Sequence, residues 1–438
     1  MNNAHKIQRR DFVRNVASLG LFTIVPARVL NAATAPSNQI TRALIGYGVI
    51  ARTANHLKYK GSRLVGICDP FKARVEFGLA ECEKFGWGKV KAYRDFVELL
   101  ADKGVDVVHV CTPPHWHGCM NVMAAKAGKD IWAEKPMTRT LGEGRRVMEV
   151  VKGNGRMFRL NTWFRFKGEY YSFGTTVKSI KKVVDSGLLG DGPKRVVVGK
   201  GQGLLWARRW SGKSTLPVDD TPEGLDWEMW LGPAPWRPFS EHRVSVDFRS
   251  YWDYDNGDVG DMAQHYLDPV QYLLGKDETS PVRVDYEGPR QHPEAVGVFD
   301  RITLKYADGD TIILDGNESL AGEPYMEGSN GAKIFGKPFR VVDADGKELD
   351  TAKLLADLPE PPAQVTDFME SVRERKTFAL NECNGFRSCA LMQLGAAAMR
   401  LGRGFDFDPV ALRAVDDPAA DRFLYQGMRE PWRKEMYS

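Results

Sequence analysis

Long apolar runs are missing from this chain, and no stretch reaches the length of a membrane-spanning helix. An excess of charge is missing too. Lys and Arg number 61 against 57 Asp and Glu, a net charge of +4. That balance gives no sign of nucleic acid or an anionic membrane as a partner. Cysteine is sparse, six in 438 residues, and follows no metal spacing. Cys68 and Cys111 end predicted strands, where a small buried hydrophobe fits. Cys383 and Cys389 stand six positions apart on a helical stretch and would not share a face. No disulfide framework and no metal are expected. There is no internal repeat. What remains is a globular composition, 43% apolar and 27% charged, long enough for two or three domains.

The first 35 residues read as a targeting segment, not as fold. Gln8-Arg9-Arg10-Asp11-Phe12-Val13-Arg14 resembles a twin-arginine export signal. A modest apolar stretch, Val16 to Val25, follows, and Ala33-Thr34-Ala35 is a small-residue cleavage site. The alternative is a basic tail without an address. The signal implies a periplasmic or otherwise exported protein that crosses the membrane already folded. A cofactor loaded in the cytosol would then be carried out with it.

Ile40 to Ala51 reads I-T-R-A-L-I-G-Y-G-V-I-A. An apolar strand enters a glycine turn and a helical pattern follows, the signature of a dinucleotide-binding unit. Gly46 permits the tight turn. Gly48 leaves room for a pyrophosphate against the backbone. Val49 and Ile50 open the helix, whose free N–H groups face the phosphates. Ala51 stands where a third glycine is usual. A second strand, Arg63 to Cys68, ends in Asp69, 23 positions past Gly46. That is near the spacing of a ribose-binding carboxylate. Asp69 read alone is equally a turn residue before Pro70. With no basic residue directly after it, Asp69 favours NAD over NADP, while Lys72 and Arg74 keep NADP open.

Short strands and helices alternate over residues 40–161, which predicts a parallel, doubly wound sheet. Strands are expected at Val105–Cys111, Asp130–Ala133 and Met157–Leu160, and helices at His115–Gly128 and Leu141–Val151. Ligands sit at the carboxyl ends of such strands. Residues 162–362 form a second domain. There Lys194–Gly199 is a strand, Leu204–Arg249 a long Trp-, Pro- and Arg-rich loop, and Gly257–Leu274 a helix. Arg301–Leu314 is a hairpin, so this sheet should be largely antiparallel. Residues 363–438 supply amphipathic helices at Val365–Arg375 and Phe386–Leu401, packing back on the first domain, and an irregular tail.

Lys135 sits between Glu134 and Pro136 at a strand end. It either points into the cleft and polarises a substrate hydroxyl, or pairs with Glu134 at the surface. Asp261 and His265, at i and i+4, share one helix face. They form a general-base pair, or else a capping acid and a core histidine. His115 and His117 either meet the nicotinamide ribose or substrate, or simply begin a helix. Trp163, Trp206, Trp210 and Arg165 make either a sugar platform or inter-domain packing.

Four of these motifs together resemble the glucose–fructose oxidoreductase, inositol dehydrogenase and rhizopine-catabolism family over residues 40–410. They are G-Y-G-V-I-A at Gly46–Ala51, C-T-P-P-H-W-H at Cys111–His117, E-K-P at Glu134–Pro136 and G-D-M-A-Q-H at Gly260–His265. The resemblance implies a Rossmann domain and an α/β domain on an open, largely antiparallel sheet. It makes Lys135 the catalytic lysine and Asp261 and His265 the acid and histidine of the second domain. It places Thr112, Pro113, His117, Glu134 and Lys135 against NAD or NADP and implies a homo-oligomer; Trp163, Arg165 and His265 are expected to meet the substrate.

Outside the cytosol a freely exchanging nicotinamide nucleotide would not be replenished. The expected activity is therefore oxidation of a sugar hydroxyl with the nucleotide retained and regenerated in place. The alternative is a retained-NAD glycosidase acting through a transient keto-sugar. A non-enzymatic sensing module is disfavoured by the intact Lys135, Asp261 and His265.

Overall fold

The computed structural model describes residues 39–162, 164–166, 168–202 and 212–438. The twin-arginine stretch, Trp163, Trp206 and Trp210 lie outside the described residues.

Six strands make the first sheet: β1 (Thr41–Ile45), β2 (Arg63–Cys68), β3 (Lys91–Tyr93), β4 (Val107–Val110), β5 (Asp130–Glu134) and β6 (Phe158–Asn161). Five helices join or cover them: α1 (Val49–Thr53), α2 (Lys72–Lys84), α3 (Phe96–Ala101), α4 (Pro114–Lys126) and α5 (Leu141–Gly153). Every pairing is parallel, in the order β3-β2-β1-β4-β5-β6. β1, β4 and β5 are buried along their whole length, as central parallel strands covered on both faces must be. The order reverses at β1, so the carboxyl ends of β1 and β4 open a crevice. Local signals set the helix starts. The Asp95 side chain accepts from Val97 N to cap α3, and Pro114 opens α4 where its missing N–H costs nothing. α1 is shorter than the sequence pattern suggests, giving way after Thr53 to a 3₁₀ turn at His56–Lys58.

The second sheet contains β7 (Arg195–Gly199), β8 (Arg283–Glu287), β9 (Arg301–Lys305), β10 (Thr311–Asp315), β11 (Met326–Glu327), β12 (Lys333–Gly336), β13 (Phe339–Val342), β14 (Phe405–Asp408) and β15 (Arg413–Ala414). Its order is β13-β12-β11-β7-β10-β9-β8-β14-β15. Only β7 and β10 run parallel; the other pairings are antiparallel. The expected hairpin is β9–β10, with Lys305 opposite Thr311. Gly309 turns it at φ +93, which a side chain would resist.

Helices α6 (Val177–Asp185), α7 (Trp227–Leu231), α8 (Glu241–Val244), α9 (Gly257–Asp261), α10 (Ala263–Leu273), α11 (Thr351–Asp357), α12 (Phe368–Glu374) and α13 (Glu382–Leu401) belong to the second half. Three features depart from the sequence reading. The single helix expected over Gly257–Leu274 is two, α9 and α10, jointed at Met262. α13 is not amphipathic. Every residue from Asn384 to Met399 except Arg387 is buried, because α13 lies between the two halves, against α5 on one side and α10 on the other. The irregular tail contains two short helices, α14 (Pro418–Leu424) and α15 (Trp432–Tyr437). The Trp432 ring of α15 packs edge-on against Trp116 at 4.7 Å. All six cysteines are free thiols. No helix among the described residues is long and apolar enough to cross a membrane.

Candidate active site

The crevice at the ends of β1 and β4 is a cleft of about 860 Å³, part of it open to solvent. Gly46, Gly48, Val49, Ile50, Asp69, Thr112 and Pro113 line one wall. Gly46 has φ +91, and a methyl group there would lie 2.9 Å from the carbonyl carbon of Cys111. Among the described residues nothing lies within 4 Å of where a Gly48 methyl would stand. A bare backbone faces open space there, which suits a pyrophosphate.

Asp69 is a turn residue that also borders the cleft. Its Oδ2 accepts from Tyr47 N and its Oδ1 from Phe71 N, each at 2.9 Å, so it staples the glycine turn to the end of β2. It also lines the cleft, with Arg74 Nη1 at 3.8 Å. Burial raises its pKa, against the pull of Arg74 and the two N–H groups.

The opposite wall is a roof from the second half, comprising Met229, Trp230, Val244, Ser245, Val246, Phe248 and Arg249. It is tied down at several points. Lys72 N donates to Gly224 O and Asp226 N to Pro70 O, both at 3.0 Å, on the loop beyond Asp69. Trp116 Nε1 donates to Trp230 O at 3.0 Å, and His115 Nε2 lies 2.9 Å from the same oxygen. The tail adds Arg429 Nε to Gly232 O at 3.0 Å. His115 therefore joins the roof to α4 and does not face the cleft. Burial takes its pKa down to about 3.

At the inner end of the site, Lys135 leaves β5 and is followed by a cis Pro136. Its Nζ donates to Asp261 Oδ1 at 2.9 Å and to Asp261 O at 2.8 Å. The surface pairing with Glu134 is not formed. Arg249 Nε, in the roof, lies 2.8 Å from the same Oδ1. Burial would raise the Asp261 pKa, but Lys135 and Arg249 together hold it well below the usual carboxylate range. His265 is fully buried, with Phe164 edge-on at 6.2 Å. Burial, then the charge on Lys135, lowers its pKa to about 3, so the ring is neutral. Asp261 and His265 come together as expected, across a helix joint and not along one helix.

Three assigned residues turn away from the cleft. Arg165 is buried and bidentate on two acids. It reaches Asp268 Oδ1 at 2.9 Å through Nε, and Asp277 at 2.7 Å through both Nη1 and Nη2. With its donors committed there, it is a structural ion-pair centre and not a substrate rim. His117 lies under the Lys135–Pro136 turn, with Nδ1 2.5 Å from Pro136 O and Nε2 2.8 Å from Thr112 O. It braces two cleft loops from behind and does not line the cleft.

The third is Glu134, whose carboxylate points into the first domain. Its Oε1 accepts from Asn161 Nδ2 at 2.7 Å and faces His109 Nε2 at 3.3 Å. His56 Nε2 lies 2.8 Å from the same oxygen but off the hydrogen-bonding direction. His56, His109, Cys111 and Glu134 have the composition of a metal site, with ligand atoms within 4.8 Å of one another. The hydrogen bonding runs otherwise. Arg42 Nη1, which can only donate, lies 3.4 Å from His109 Nδ1. The His109 proton is then on Nε2, so a proton and not a lone pair faces the centre.

Sequence reasoning missed Arg249 and Asp255. Both lie in the stretch Phe248–Asp255, whose Tyr251 and Tyr254 belong to the core of the roof with Trp230 and Leu231. The one available signal was the density of acids in Asp253–Asp261 beside a buried-looking tryptophan.

A parallel dinucleotide sheet, a mixed sheet and a Lys–Asp pair linked to the cleft through Arg249 define a two-domain nucleotide-binding oxidoreductase. The chain belongs to the glucose–fructose oxidoreductase, inositol dehydrogenase and rhizopine-catabolism family. Residues 40–162 match its "Oxidoreductase family, NAD-binding Rossmann fold" and residues 173–434 its "C-terminal alpha/beta domain". The scyllo-inositol 2-dehydrogenase (NAD(+)) of Bacillus subtilis (strain 168) is 28% identical over 221 residues, 48% of this chain and 61% of that protein. The inositol 2-dehydrogenase of Salmonella typhimurium is 28% identical over 42% of this chain and 47% of its own length. The chain thus spans about half to three fifths of these curated relatives. Among solved structures, the WlbA dehydrogenase of Bordetella pertussis, in complex with NADH and UDP-GlcNAcA, has a TM-score of 0.56 at 16% identity. That match covers 84% of this chain and 99% of that one, and it establishes the fold.

Proposed function

We propose that this protein is an NAD(P)-dependent oxidoreductase acting on a hydroxyl of a sugar or cyclitol, with its nucleotide tightly held, and that it works outside the cytosol. The observation that carries this reading is the Lys135–Asp261 pair beside neutral His265, joined through Arg249 to the roof of the dinucleotide cleft. Gly46, Gly48, Val49, Ile50, Asp69, Thr112 and Pro113 would hold the nucleotide. When bound, it supplies the hydride acceptor. The curated relatives are inositol dehydrogenases, which supports the polyol class.

The chain's own groups supply the proton chemistry. An ammonium has three N–H donors, and Lys135 commits two to Asp261. The third is left for a substrate oxygen, where it stabilises developing negative charge. Asp261 keeps Lys135 oriented. His265 stays neutral at any physiological pH and offers a ring nitrogen as proton acceptor. The roof, tied to the loop beyond Asp69 and to α4, covers one side of the cleft and would hinder nucleotide exit.

The test is to purify the protein, denature it and assay the released nucleotide. Native protein is then incubated with free sugars, cyclitols and p-nitrophenyl glycosides, with no cofactor added. Retained nucleotide that a free polyol reduces supports the reading. Release of p-nitrophenol with no net reduction would replace it with the glycosidase. No nucleotide, with activity restored by added NAD, would remove the retention.

A further inference from the structure

Asp255 is fully buried, and only one of its oxygens is satisfied. Oδ1 accepts from Asn256 N at 2.7 Å, while Oδ2 is buried with no hydrogen-bond partner among the described residues. The two cations nearby serve Asp261 instead, Lys135 Nζ at 2.9 Å and Arg249 Nε at 2.8 Å from its Oδ1. The charged groups acting on Asp255 are Asp261, Arg249 and Lys135. A buried carboxylate with a bare oxygen is costly, and a second negative charge beside Asp261 makes it more so. A proton on Oδ2 relieves both. Burial, then Asp261, raises the Asp255 pKa to about 8. The two acids divide the roles, Asp261 charged and Asp255 neutral.

We propose that Asp255 is the proton store of this site, its carboxyl ionised while an oxidised, positively charged nicotinamide is bound and protonated once that ring becomes neutral. The inference rests on the oxidoreductase reading above. In the first half-reaction, the substrate C–H bond breaks with hydride transfer to the nicotinamide. The O–H bond breaks, a C=O bond forms, and the proton ends on Asp255 Oδ2. In the second half-reaction both return to a carbonyl acceptor. A retained nucleotide stores the hydride, and Asp255 stores the matching proton, so neither need cross the roof.

The test is infrared difference spectroscopy on the protein as purified, before and after borohydride reduction of its bound nucleotide. Reduction should add one protonated-carboxyl C=O band, shifted in D₂O. The band should be lost in Asp255→Asn and moved in Asp255→Glu, which guards against a misfolded first variant. Nucleotide reduction without the band, or a band unchanged in both variants, overturns the proposal and leaves the proposed function standing. Absence of any bound nucleotide fails the proposed function instead. The nucleotide-free protein then decides on Asp255, whose band should fade with rising pH around a midpoint of about 8. No such band in the wild-type protein overturns the store.

Discussion

At the scale of single residues, Lys135 is the most informative. Its ammonium is fixed by two contacts to one aspartate, its backbone oxygen and its Oδ1, so its direction is set before any substrate arrives. Replacing it by methionine keeps the stem and removes the charge. The expected loss in kcat is about 10²–10⁴-fold, the usual contribution of a positioned proton-handling group. Bound nucleotide per protein should be unchanged, since the proposed nucleotide-binding residues lie on the glycine turn and not at Lys135. Steady-state rates and released-nucleotide assays on the same sample check both halves. A variant that loses its nucleotide would make Lys135 a binding residue first. Local sequence left its direction open, into the cleft or onto Glu134, and only the family resemblance of E-K-P singled it out; the fold turns it to Asp261. The setting of Arg165 was not legible at all. Nothing local in Trp163–Phe166 shows that Asp268 and Asp277, more than a hundred positions on, converge on it. Asp255 was hidden for the same reason, since its neighbours Lys135 and Arg249 reach it only through the tertiary fold.

At the scale of elements, β5 shows how one strand end serves two sides. Lys135 turns toward the second domain, while the Glu134 side chain turns back onto His109 and Asn161. Burial acts against charge on Glu134, but the two histidines more than reverse it, and the carboxyl sits well below its usual range. Glu134→Gln would leave those donors facing a neutral amide. Breaking a buried charged cluster of this kind costs about 3 kcal/mol, which urea unfolding would read. Nucleotide affinity should stay within a few-fold of wild type, because Glu134 does not line the cleft. Unchanged stability with nucleotide binding weakened tenfold or more would restore Glu134 as a cofactor ligand. The doubly wound sheet and the β9–β10 hairpin were readable from alternation and turn residues. The joint at Met262 was not, because the residues on either side keep a helical pattern and only the packing separates α9 from α10. The burial of α13 was equally unreadable. A helix between two layers is apolar all round, and its small residues Gly395, Ala396, Ala397 and Ala398 carry no facial contrast.

At the scale of the whole molecule, these buried groups set how stability depends on pH. His115 and His265 are held neutral, with pKa values lowered from 6.5 to about 3. Between those values the unfolded chain binds protons that the native state refuses. Stability is therefore intact above pH 6.5 and is lost as pH falls through that window. Asp255 has the opposite sign. Its pKa is raised from 3.8 to about 8, so the native state holds a proton that the unfolded chain gives up. Its contribution declines as pH climbs from 3.8 to about 8. Burial lowers His109 and His117 as well, and raises Asp69, Glu143 and Asp268. The buried histidines together give the thermal midpoint its acid limb, and the buried acids, Asp255 among them, give it an alkaline one. His115→Gln can still donate to Trp230 O but has nothing to titrate, so it should flatten the acid limb and leave the alkaline one. Asp255→Asn should do the reverse. Calorimetric scans across pH on the three proteins check this, and limbs with the same slopes in all three would mean these buried groups do not govern the balance. The acid limb also bears on where the protein can work: a roof pinned by His115 loosens as that ring is forced to charge, so nucleotide retention should fail at acid pH together with stability and not after it.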